Sequence, residues 1–306
     1  MTERVRKTLI VGLGALGAPY AQQIAQHHQD VEVKALVSSA SYSSYEVDPV
    51  SINGKPLHGC LLDHCDLSFI PDIVIVAVKY KDLESAIESF APCVGESTQV
   101  LSLLNGIYSE AVLAECFGWG RVLYAKCSGV DSNRIGHAIS LSSIGRLLLG
   151  EEDNTIVSSR VQRVRDFFLS AEIPVDVPKD MKRTLWWKLM VNVGMNQVSA
   201  VKNLTYGQVR EDPEAMTLML AAQREVIAVA RSCGVELSDS DLVDWERQLD
   251  TLSYSGKSSM LQDVLAGRST EVDQFGGTIV ALGLRYGVPT PINEALLASI
   301  KALSPR

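Results

Sequence analysis

The stretch TLIVGLGALG, residues 8–17, decides the fold. A short apolar run leads into glycines at three spaced positions, and the residues that follow have the apolar spacing of a helix. In such a strand–turn–helix unit, the first glycine permits a tight turn, the second lets a phosphate approach the backbone, and the third allows close helix–strand packing. The helix start then presents N–H groups to an anion. We therefore predict a dinucleotide-binding turn rather than a glycine turn that only serves packing. Its residues are Gly12, Leu13, Gly14, Ala15, Leu16 and Gly17.

The composition is that of an ordinary globular protein. The chain has 306 residues, of which 46% are hydrophobic and 21% charged, enough for one large or two ordinary domains. The net charge of -8 argues against nucleic acid and anionic membranes as partners. No apolar run reaches the roughly 18 residues of a membrane span, and glycines break the N-terminal run that a signal peptide would need. A cytoplasmic protein is expected.

The first half of the chain alternates short apolar strands with helices. Strands are predicted at residues 8–12, 31–37, 72–78, 99–104 and 121–130. Helices are predicted at residues 15–28, 81–90, 109–117 and 157–171. Several of these strands are apolar on both faces, as strands of a covered parallel sheet are. The alternation predicts an α/β fold with a doubly wound sheet of the Rossmann type.

The pattern changes near residue 175. The segment IPVDVPKD, residues 173–180, carries two prolines and predicts a linker or a terminal strand. Only helical periodicity follows, with helices predicted at residues 180–202, 212–233, 239–254, 258–267, 270–286 and 292–302. We predict a dinucleotide-binding domain over 1–175 and an all-α substrate and catalytic domain over 176–306. A homodimer is possible, but the sequence shows no exposed apolar stripe that would decide between a monomer and a homodimer.

Some segments of the first half predict local features. Asn53-Gly54 is a strong hairpin signal, and HAISLSSIGRLLLGE, residues 137–151, predicts an antiparallel pair at a sheet edge. The run HGCLLDHC, residues 58–65, holds His58, Cys60, His64 and Cys65. Its spacing matches no usual zinc pattern, so a surface hairpin and loop is preferred to a metal site. The six cysteines are expected to be free thiols.

The end of the second predicted strand bears on the cofactor. NAD sites usually place an acid there to bind the ribose hydroxyls. Here the strand ends at Val37 and Ser38, whereas Glu32 lies near its start. A serine hydroxyl can bond a 2′-phosphate, and Lys79, just past the strand 72–78, could supply the charge. We predict NADP, with NAD as the alternative; the alternative for Lys79 is a solvated surface side chain.

The segment LLNGI, residues 103–107, ends another strand. Ligands of open α/β sheets bind at the edge formed by the carboxyl ends of the strands. Asn105 could there position a nicotinamide or a substrate carbonyl. A plain turn asparagine before glycine is an equally open interpretation.

An apolar helix in the second half carries a polar stripe. In WWKLMVNVGMNQVSA, residues 186–200, Lys188, Asn192 and Asn196 recur every four residues and share one face. Burying an unpaired ammonium is expensive, so Lys188 must be exposed, paired or placed in a wet cleft. A stripe lining a cleft between the domains would let the amine donate a proton to a carbonyl oxygen as hydride reaches the carbon. The alternative is a stripe that faces solvent.

The segment SSMLQDVLAGRSTEVDQFGG, residues 258–277, is the last candidate. Ser258 and Ser259 precede a predicted helix, and Glu271 opens the next one. Glu271 could accept hydrogen bonds from substrate hydroxyls, and Arg268 could pair with acids. Spacing alone favours the simpler interpretation of a serine cap and a first-turn glutamate.

Taken in order, GLGALG, LLNGI, WWKLMVNVGMN and SSMLQDVLAGRSTEVD resemble the ketopantoate reductase family over nearly the whole chain. The resemblance implies NADPH-dependent reduction of 2-dehydropantoate to pantoate, a step toward pantothenate and coenzyme A. It implies a catalytic set in which Lys188 is the general acid, Asn105 lies at the carbonyl and cofactor, and Glu271 contacts the substrate. The resemblance also implies that Asn192, Asn196 and Ser259 contact the substrate. It implies that Lys79 contacts the cofactor.

Two positions depart from the family pattern. Members often carry arginine where Ser38 stands and a substrate-contacting asparagine where Gly256 stands. The first departure bears on the preference for NADP, and the second on the identity of the keto acid. The alternatives are therefore a reductase of another small 2-oxo acid and an NADP-binding sensor without turnover. The set of Lys188, Ser259 and Glu271 argues against the sensor, which has no need of a proton donor.

Overall fold

The structure, a computed structural model, describes residues 4–57, 60–62 and 68–303, with residues 60 and 62 described by their backbone only. Its contacts divide the chain into two compact units, Met1–Met181 and Lys182–Arg306. The sequence prediction put this division after residue 175. The difference arises because the segment 175–181 contacts the first unit, through a short terminal strand and through Met181, whose N–H donates to the carbonyl of Glu152 at 3.1 Å.

Two sheets lie in the described part of the first unit. Among the described residues its strands are β1 Lys7–Val11, β2 Glu32–Leu36, β3 Ser51–Ile52, β4 Lys55–Pro56, β5 Cys60–Leu62, β6 Ile73–Val76, β7 Gln99–Ser102, β8 Val122–Ser128, β9 Asp131–Ile135, β10 Ala138–Ser143, β11 Arg146–Gly150 and β12 Val175–Asp176. Parallel strands in the order β5-β2-β1-β6-β7-β8 form most of the larger sheet, which β11, antiparallel to β8, and then β12 extend. This order is that of a doubly wound sheet whose winding reverses between β1 and β6. The α/β prediction is confirmed.

Helices cover both faces of the larger sheet. They are α1 Gly17–His27, α2 Ser39–Val47, α3 Leu83–Phe90, α4 Ser109–Phe117 and α5 Ser159–Ser170. Ile73 and Ile75 of β6 belong to the core cluster that contains residues of α1 and α5, whereas Val74 and Val76 belong to the cluster with α3 and α4. Because successive side chains of a strand point to opposite faces, a strand covered on both sides must be apolar throughout.

The smaller sheet has the order β4-β3-β10-β9. The predicted hairpin at Asn53-Gly54 is confirmed, and both residues have positive φ, 50° and 77°. The antiparallel pair predicted within residues 137–151 is wrong. β10 pairs with β9 and β3, and β11 pairs with β8 in the larger sheet. The chain passes from one sheet to the other at Gly145, where a Cβ would overlap the carbonyl of Ser128.

The described residues of the second unit form helices joined by turns and loops, with no strand among them. Its helices are α6 Met181–Val191, which begins at the last residue of the first unit, α7 Gln197–Lys202, α8 Tyr206–Glu211, α9 Pro213–Ser232, α10 Asp239–Thr251, α11 Ser259–Leu265, α12 Thr278–Tyr286 and α13 Pro291–Leu303. One predicted helix is interrupted by a π segment, Asn192–Asn196, and another begins with a π segment, Asp273–Gly277. No described helix is long and apolar enough to cross a membrane.

The cysteine hypotheses have mixed outcomes. The possible metal cluster falls on residues 58–65, whose ligating side chains lie outside the described part of the chain. Among described residues, no group of three or more histidine, cysteine or acidic side chains could hold a metal ion. Free thiols are found, as expected, at Cys116, Cys127 and Cys233. The expectation is wrong for Cys93, which is disulfide-bonded.

Candidate functional site

The glycine turn follows β1 at the point where the sheet reverses its winding. Gly12 has φ 93°, a value that favours glycine, and a Cβ there would lie 2.8 Å from Cγ1 of Val78. A Cβ at Gly17 would overlap the carbonyl of Gly12. The N–H of Gly12 donates to the carbonyl of Leu36 at 2.9 Å, which ties the turn to β2. Packing and backbone conformation thus require glycine at both ends of the turn.

Gly14, in the middle of the turn, has a different surrounding. A Cβ at Gly14 would meet a single described atom within 4 Å, the carbonyl oxygen of Ala77, at an ordinary contact distance of 3.8 Å. The packing of the described residues therefore does not require glycine here, whereas close approach of a ligand to the backbone would. The turn fits a dinucleotide pyrophosphate, and packing alone leaves Gly14 unexplained.

The other predicted cofactor residues lie at the same edge of the sheet. Ser38 follows β2 and caps the start of α2: its hydroxyl accepts from the N–H of Ser41 at 3.3 Å and donates to the Ser41 hydroxyl at 3.0 Å. Lys79 is exposed and follows β6. Glu32 is the first residue of β2 and pairs with Lys34 at 3.4 Å, so it stands at the wrong end of the strand to bind a ribose.

A buried chain of hydrogen bonds supports the turn that carries Asn105. The N–H of Leu104 donates to the hydroxyl of Ser102 at 3.2 Å, which donates to the hydroxyl of Ser109 at 2.8 Å. Ser109 in turn donates to Oε2 of Glu110 at 3.0 Å. The chain ends on a carboxylate that is 1% exposed, which strengthens the last bond. The half-buried Asn105 thus stands on a fixed backbone.

Sequence reasoning missed these supporting residues. The only signal was a serine on either side of LLNGI, and serine is ordinary near turns. The electrostatics around Glu110 are also unusual. Burial raises the pKa of the Tyr124 hydroxyl, and the Glu152 and Glu110 carboxylates raise it further. Lys126, two residues along the same face of β8, is 6% exposed. The Asn105 turn therefore rests on buried polar and charged groups.

The polar stripe of the second unit crosses from an α-helix into a π segment. Lys188 lies on α6 and is half-buried, as is Asn192, whereas Asn196 is 7% exposed. The prediction of one continuous α-helix is wrong, because Asn192–Asn196 forms the wider π turn. Such turns occur often at functional sites. The burial of Asn196 excludes a stripe that simply faces solvent.

Two predicted substrate residues from separate segments come together. The amide of Asn196 donates to the hydroxyl of Ser259 at 3.4 Å. The neighbouring Ser258 is fully buried, accepts from the N–H of Leu261 at 3.2 Å as the cap of α11, and donates to Ser199 at 3.1 Å. The cap predicted from sequence is therefore Ser258, and Ser259 is left exposed beside Asn196.

Glu271 and Arg268 have separate surroundings. Glu271 is half-buried and precedes the second π segment, so the helix predicted to open at Glu271 begins instead at Asp273. Arg268 pairs with Asp263 at 2.8 Å, within its own segment. The two π segments contact each other.

Comparison with known proteins identifies the family. Residues 8–154 match "Ketopantoate reductase PanE/ApbA", and residues 180–304 match "Ketopantoate reductase PanE/ApbA C terminal". The chain belongs to the ketopantoate reductase family. It is 28% identical over 303 residues to the 2-dehydropantoate 2-reductase of Aquifex aeolicus, with 97% of each chain covered. The enzyme of the same name from Vibrio cholerae is 26% identical, with 96% of this chain and 97% of the other covered.

Solved structures similar to this chain share its fold. The 2-dehydropantoate 2-reductase of Geobacter metallireducens superposes with a TM-score of 0.84 at 26% identity, covering 97% of this chain and 100% of the other. A D-mandelate dehydrogenase in complex with NADH and anilino(oxo)acetate has a TM-score of 0.87 at 20% identity, covering 97% of both chains. The latter likeness concerns the fold alone.

Buried polar side chains support the π segment of this ketopantoate reductase family member. The amide of Gln197 donates to the carbonyl of Val193 at 2.8 Å and to Asn293 at 3.0 Å. Asn293 in turn donates to Glu225 at 2.7 Å. A Cβ at Gly194 would overlap a glutamine side chain of α9, so the π segment approaches α9 closely. The signal available in sequence was a polar residue on an otherwise apolar helix, which spacing alone could not assign.

The departure at Gly256 has a local explanation. A Cβ at this position would lie 2.7 Å from the ring of Tyr206 and 3.0 Å from the carbonyl of Ser253. The carbonyl of Gly256 accepts from the N–H of Tyr206 at 2.9 Å. An asparagine could enter here only if the ring of Tyr206 moved.

Proposed function

We propose that this protein reduces 2-dehydropantoate to pantoate with NADPH. The proposal rests on the full-length similarity to relatives named 2-dehydropantoate 2-reductases. The match to the Aquifex enzyme covers 97% of this chain. The glycine turn supports it, because packing does not require glycine at Gly14, whereas close approach of a pyrophosphate would. A cytoplasmic location is part of the proposal, since an NADPH-consuming reductase must work where that cofactor is supplied.

In this proposal each unit contributes one half of the chemistry. NADPH, when bound, supplies a hydride to the keto carbon. The N–H groups of the glycine turn bind its pyrophosphate, and Lys79 and Ser38 contact the adenosine end. Lys188 donates a proton to the keto oxygen as negative charge develops there. Asn105 orients the nicotinamide and the carbonyl.

The substrate's carboxylate and hydroxyl are assigned to the second unit. Ser259 accepts from Asn196, so its own hydroxyl proton is directed elsewhere and can donate to a carboxylate oxygen. Asn192 contributes a further amide donor. Glu271 accepts from the substrate hydroxyl. These roles match the residue types: donors for the anionic end and an acceptor for the neutral end.

Steady-state kinetics test the proposal. With 2-dehydropantoate as substrate, NADPH oxidation is expected to proceed with a higher kcat/KM than NADH oxidation. Absence of turnover on any 2-oxo acid, despite NADPH binding, would replace the enzyme by an NADP-binding sensor. A clear preference for NADH would contradict the assignment of Ser38 and Lys79 to a 2′-phosphate.

A second candidate is reduction of another small 2-oxo acid, and Gly256 favours it. The ring of Tyr206 occupies the space that a polar side chain at this position would fill. The same fold also serves a dehydrogenase of a 2-hydroxy acid with an aromatic group. A panel of 2-dehydropantoate, an aliphatic 2-oxo acid without hydroxyl and phenylglyoxylate decides between them. If kcat/KM were higher for either of the latter two than for 2-dehydropantoate, that 2-oxo acid would replace 2-dehydropantoate as the proposed substrate.

A further inference from the structure

Two side chains of the smaller sheet bond the backbone of the glycine turn. The hydroxyl of Ser132 donates to the carbonyl of Ala15 at 2.7 Å, and Nη1 of Arg134 donates to the carbonyl of Leu13 at 2.7 Å. Both side chains are half-buried, and because they lie two residues apart on β9 they point to the same face. A strand outside the doubly wound sheet thus bonds two alternate carbonyls of the turn.

The residue Pro19 explains why the Ala15 carbonyl needs this partner. At the start of α1 the N–H of Ala18 donates to Gly14 and that of Tyr20 donates to Leu16, each at 3.2 Å. The bond between these two would run from residue 19 to Ala15, but proline has no N–H. A backbone carbonyl requires a donor, and Ser132 supplies it.

Arg134 is held in place by further acceptors. Its Nη2 donates to the hydroxyl of Tyr45 at 2.9 Å, and its Nε donates to the carbonyl of Gly136 at 2.7 Å. Tyr45 is buried on α2, and the guanidinium carbon lies 5.7 Å from the centre of its ring. A planar guanidinium with acceptors on three nitrogens has one orientation, so it can fix the direction of the Leu13 carbonyl.

The geometry of the trans peptide turns these contacts into a prediction about the ligand. In a trans peptide the C=O and the following N–H point in opposite directions, and no described peptide bond is cis. When Leu13 and Ala15 direct their carbonyls toward β9, the N–H groups of Gly14 and Leu16 face the other way. We propose that Ser132 and Arg134 are positioning residues that aim these two N–H groups at the cofactor's pyrophosphate.

This inference rests on the proposed function, because it needs a dinucleotide on the turn. Fluorescence titration with NADPH tests it on the full chain. Ser132→Ala should weaken binding about five-fold and Arg134→Met about ten-fold or more, the effects expected for a neutral and a charged hydrogen bond. Asn133→Ala is the matched control, because Asn133 lies between them on β9 and is exposed. Its affinity should equal that of the natural chain.

A second ligand separates positioning from general damage to the unit. Adenosine 2′-monophosphate lacks the bridging phosphates, so its inhibition constant against NADPH should not change in Ser132→Ala or Arg134→Met. Equal losses for both ligands would overturn the inference, since they would indicate a distorted domain. Ser132→Ala removes one oxygen atom, so it keeps the test available if Arg134→Met fails to fold.

The most specific part of the experiment restores the N–H donor that the helix lacks at Pro19. In the double variant Pro19→Ala with Ser132→Ala, the N–H of residue 19 can donate to Ala15, and NADPH affinity should recover most of the loss. No recovery would overturn the role of the Ser132–Ala15 bond. Unchanged affinity in both single variants, while the natural chain binds NADPH, would overturn the inference and leave the proposed function standing. A natural chain that does not bind NADPH would overturn both.

Discussion

The glycine turn and the segment from Lys188 to Asn196 form their candidate sites from different groups. The turn uses backbone, and its requirements are conformational: a positive φ at Gly12, an overlap at Gly17 and an open approach at Gly14. The helical segment uses side chains whose chemistry depends on burial and on partners distant in sequence, as in the pair of Asn196 and Ser259. A backbone requirement restricts the residue type at its own position, so the local sequence shows it. A side-chain site depends on which distant residues the fold brings together, so the local sequence does not show it.

The largest effect should come from Gly17→Ala, which breaks the turn itself. The added Cβ would overlap the Gly12 carbonyl, so β1 and α1 must separate. Thermal unfolding should shift down by several degrees, and NADPH affinity should fall by about 100-fold or more, because a strained backbone position is destabilising. Gly120→Ala is the control, since a Cβ there meets nothing within 4 Å. If the Gly17→Ala variant bound NADPH with normal affinity, the assignment of the glycine turn as the NADPH-binding site would be wrong.

Gly14→Ala sharpens the comparison by separating packing from binding. Its Cβ would make only the ordinary 3.8 Å contact with Ala77, so the melting temperature should match that of the natural chain. NADPH affinity should nevertheless fall by about ten- to 100-fold, because the methyl group occupies the approach of the pyrophosphate. Unchanged affinity would show that the turn serves packing alone.

Asn196→Ala and Ser259→Ala test the side-chain site. Each should raise the KM for the keto acid by about ten-fold and leave NADPH affinity unchanged, since each removes a polar contact to the substrate. The double variant should lose less than the product of the two, because the residues share a hydrogen bond. Fully multiplicative effects, measured in the same kinetic assay, would show that the two act independently.

The smallest effect is expected from Ser109→Ala, which interrupts the chain of hydrogen bonds beneath Asn105. The buried carboxylate of Glu110 loses a donor, so kcat should fall by about five-fold and the melting temperature by a few degrees. Ser85→Ala is the control, because Ser85 makes a similar bond at an exposed position. A loss of stability without any change in kcat would assign the chain a structural role only.

Much of the fold was predictable, because it follows from local patterns. Runs apolar on both faces located the parallel strands, and α4 begins and ends at the predicted residues, 109 and 117. The helix α2 was missed, since SSASYSSYEV lacks apolar periodicity and depends on the Ser38 cap. The partners of β10 and β11 were also wrong, because neighbouring strands joined by a short turn usually pair, and here Gly145 sends them to different sheets.

The candidate site was predictable in its residues but not in its supports. Asn196 and Ser259 could be named from their segments, yet their contact spans 63 positions in sequence. The π segment that carries Asn196 has no local signal, because its lost helical bonds are compensated by distant groups such as Asn293. The bond from Arg134 to Leu13 spans 121 positions and was equally inaccessible to motif analysis.

The division of labour between the two regions is tested most directly by Lys188→Met, assayed for turnover and for NADPH binding in the same preparation. The account predicts that kcat for the keto acid falls by about 100-fold or more, because the proton donor is lost, while the Kd for NADPH stays unchanged. Near-normal turnover in that variant would contradict the central claim that Lys188 protonates the keto oxygen.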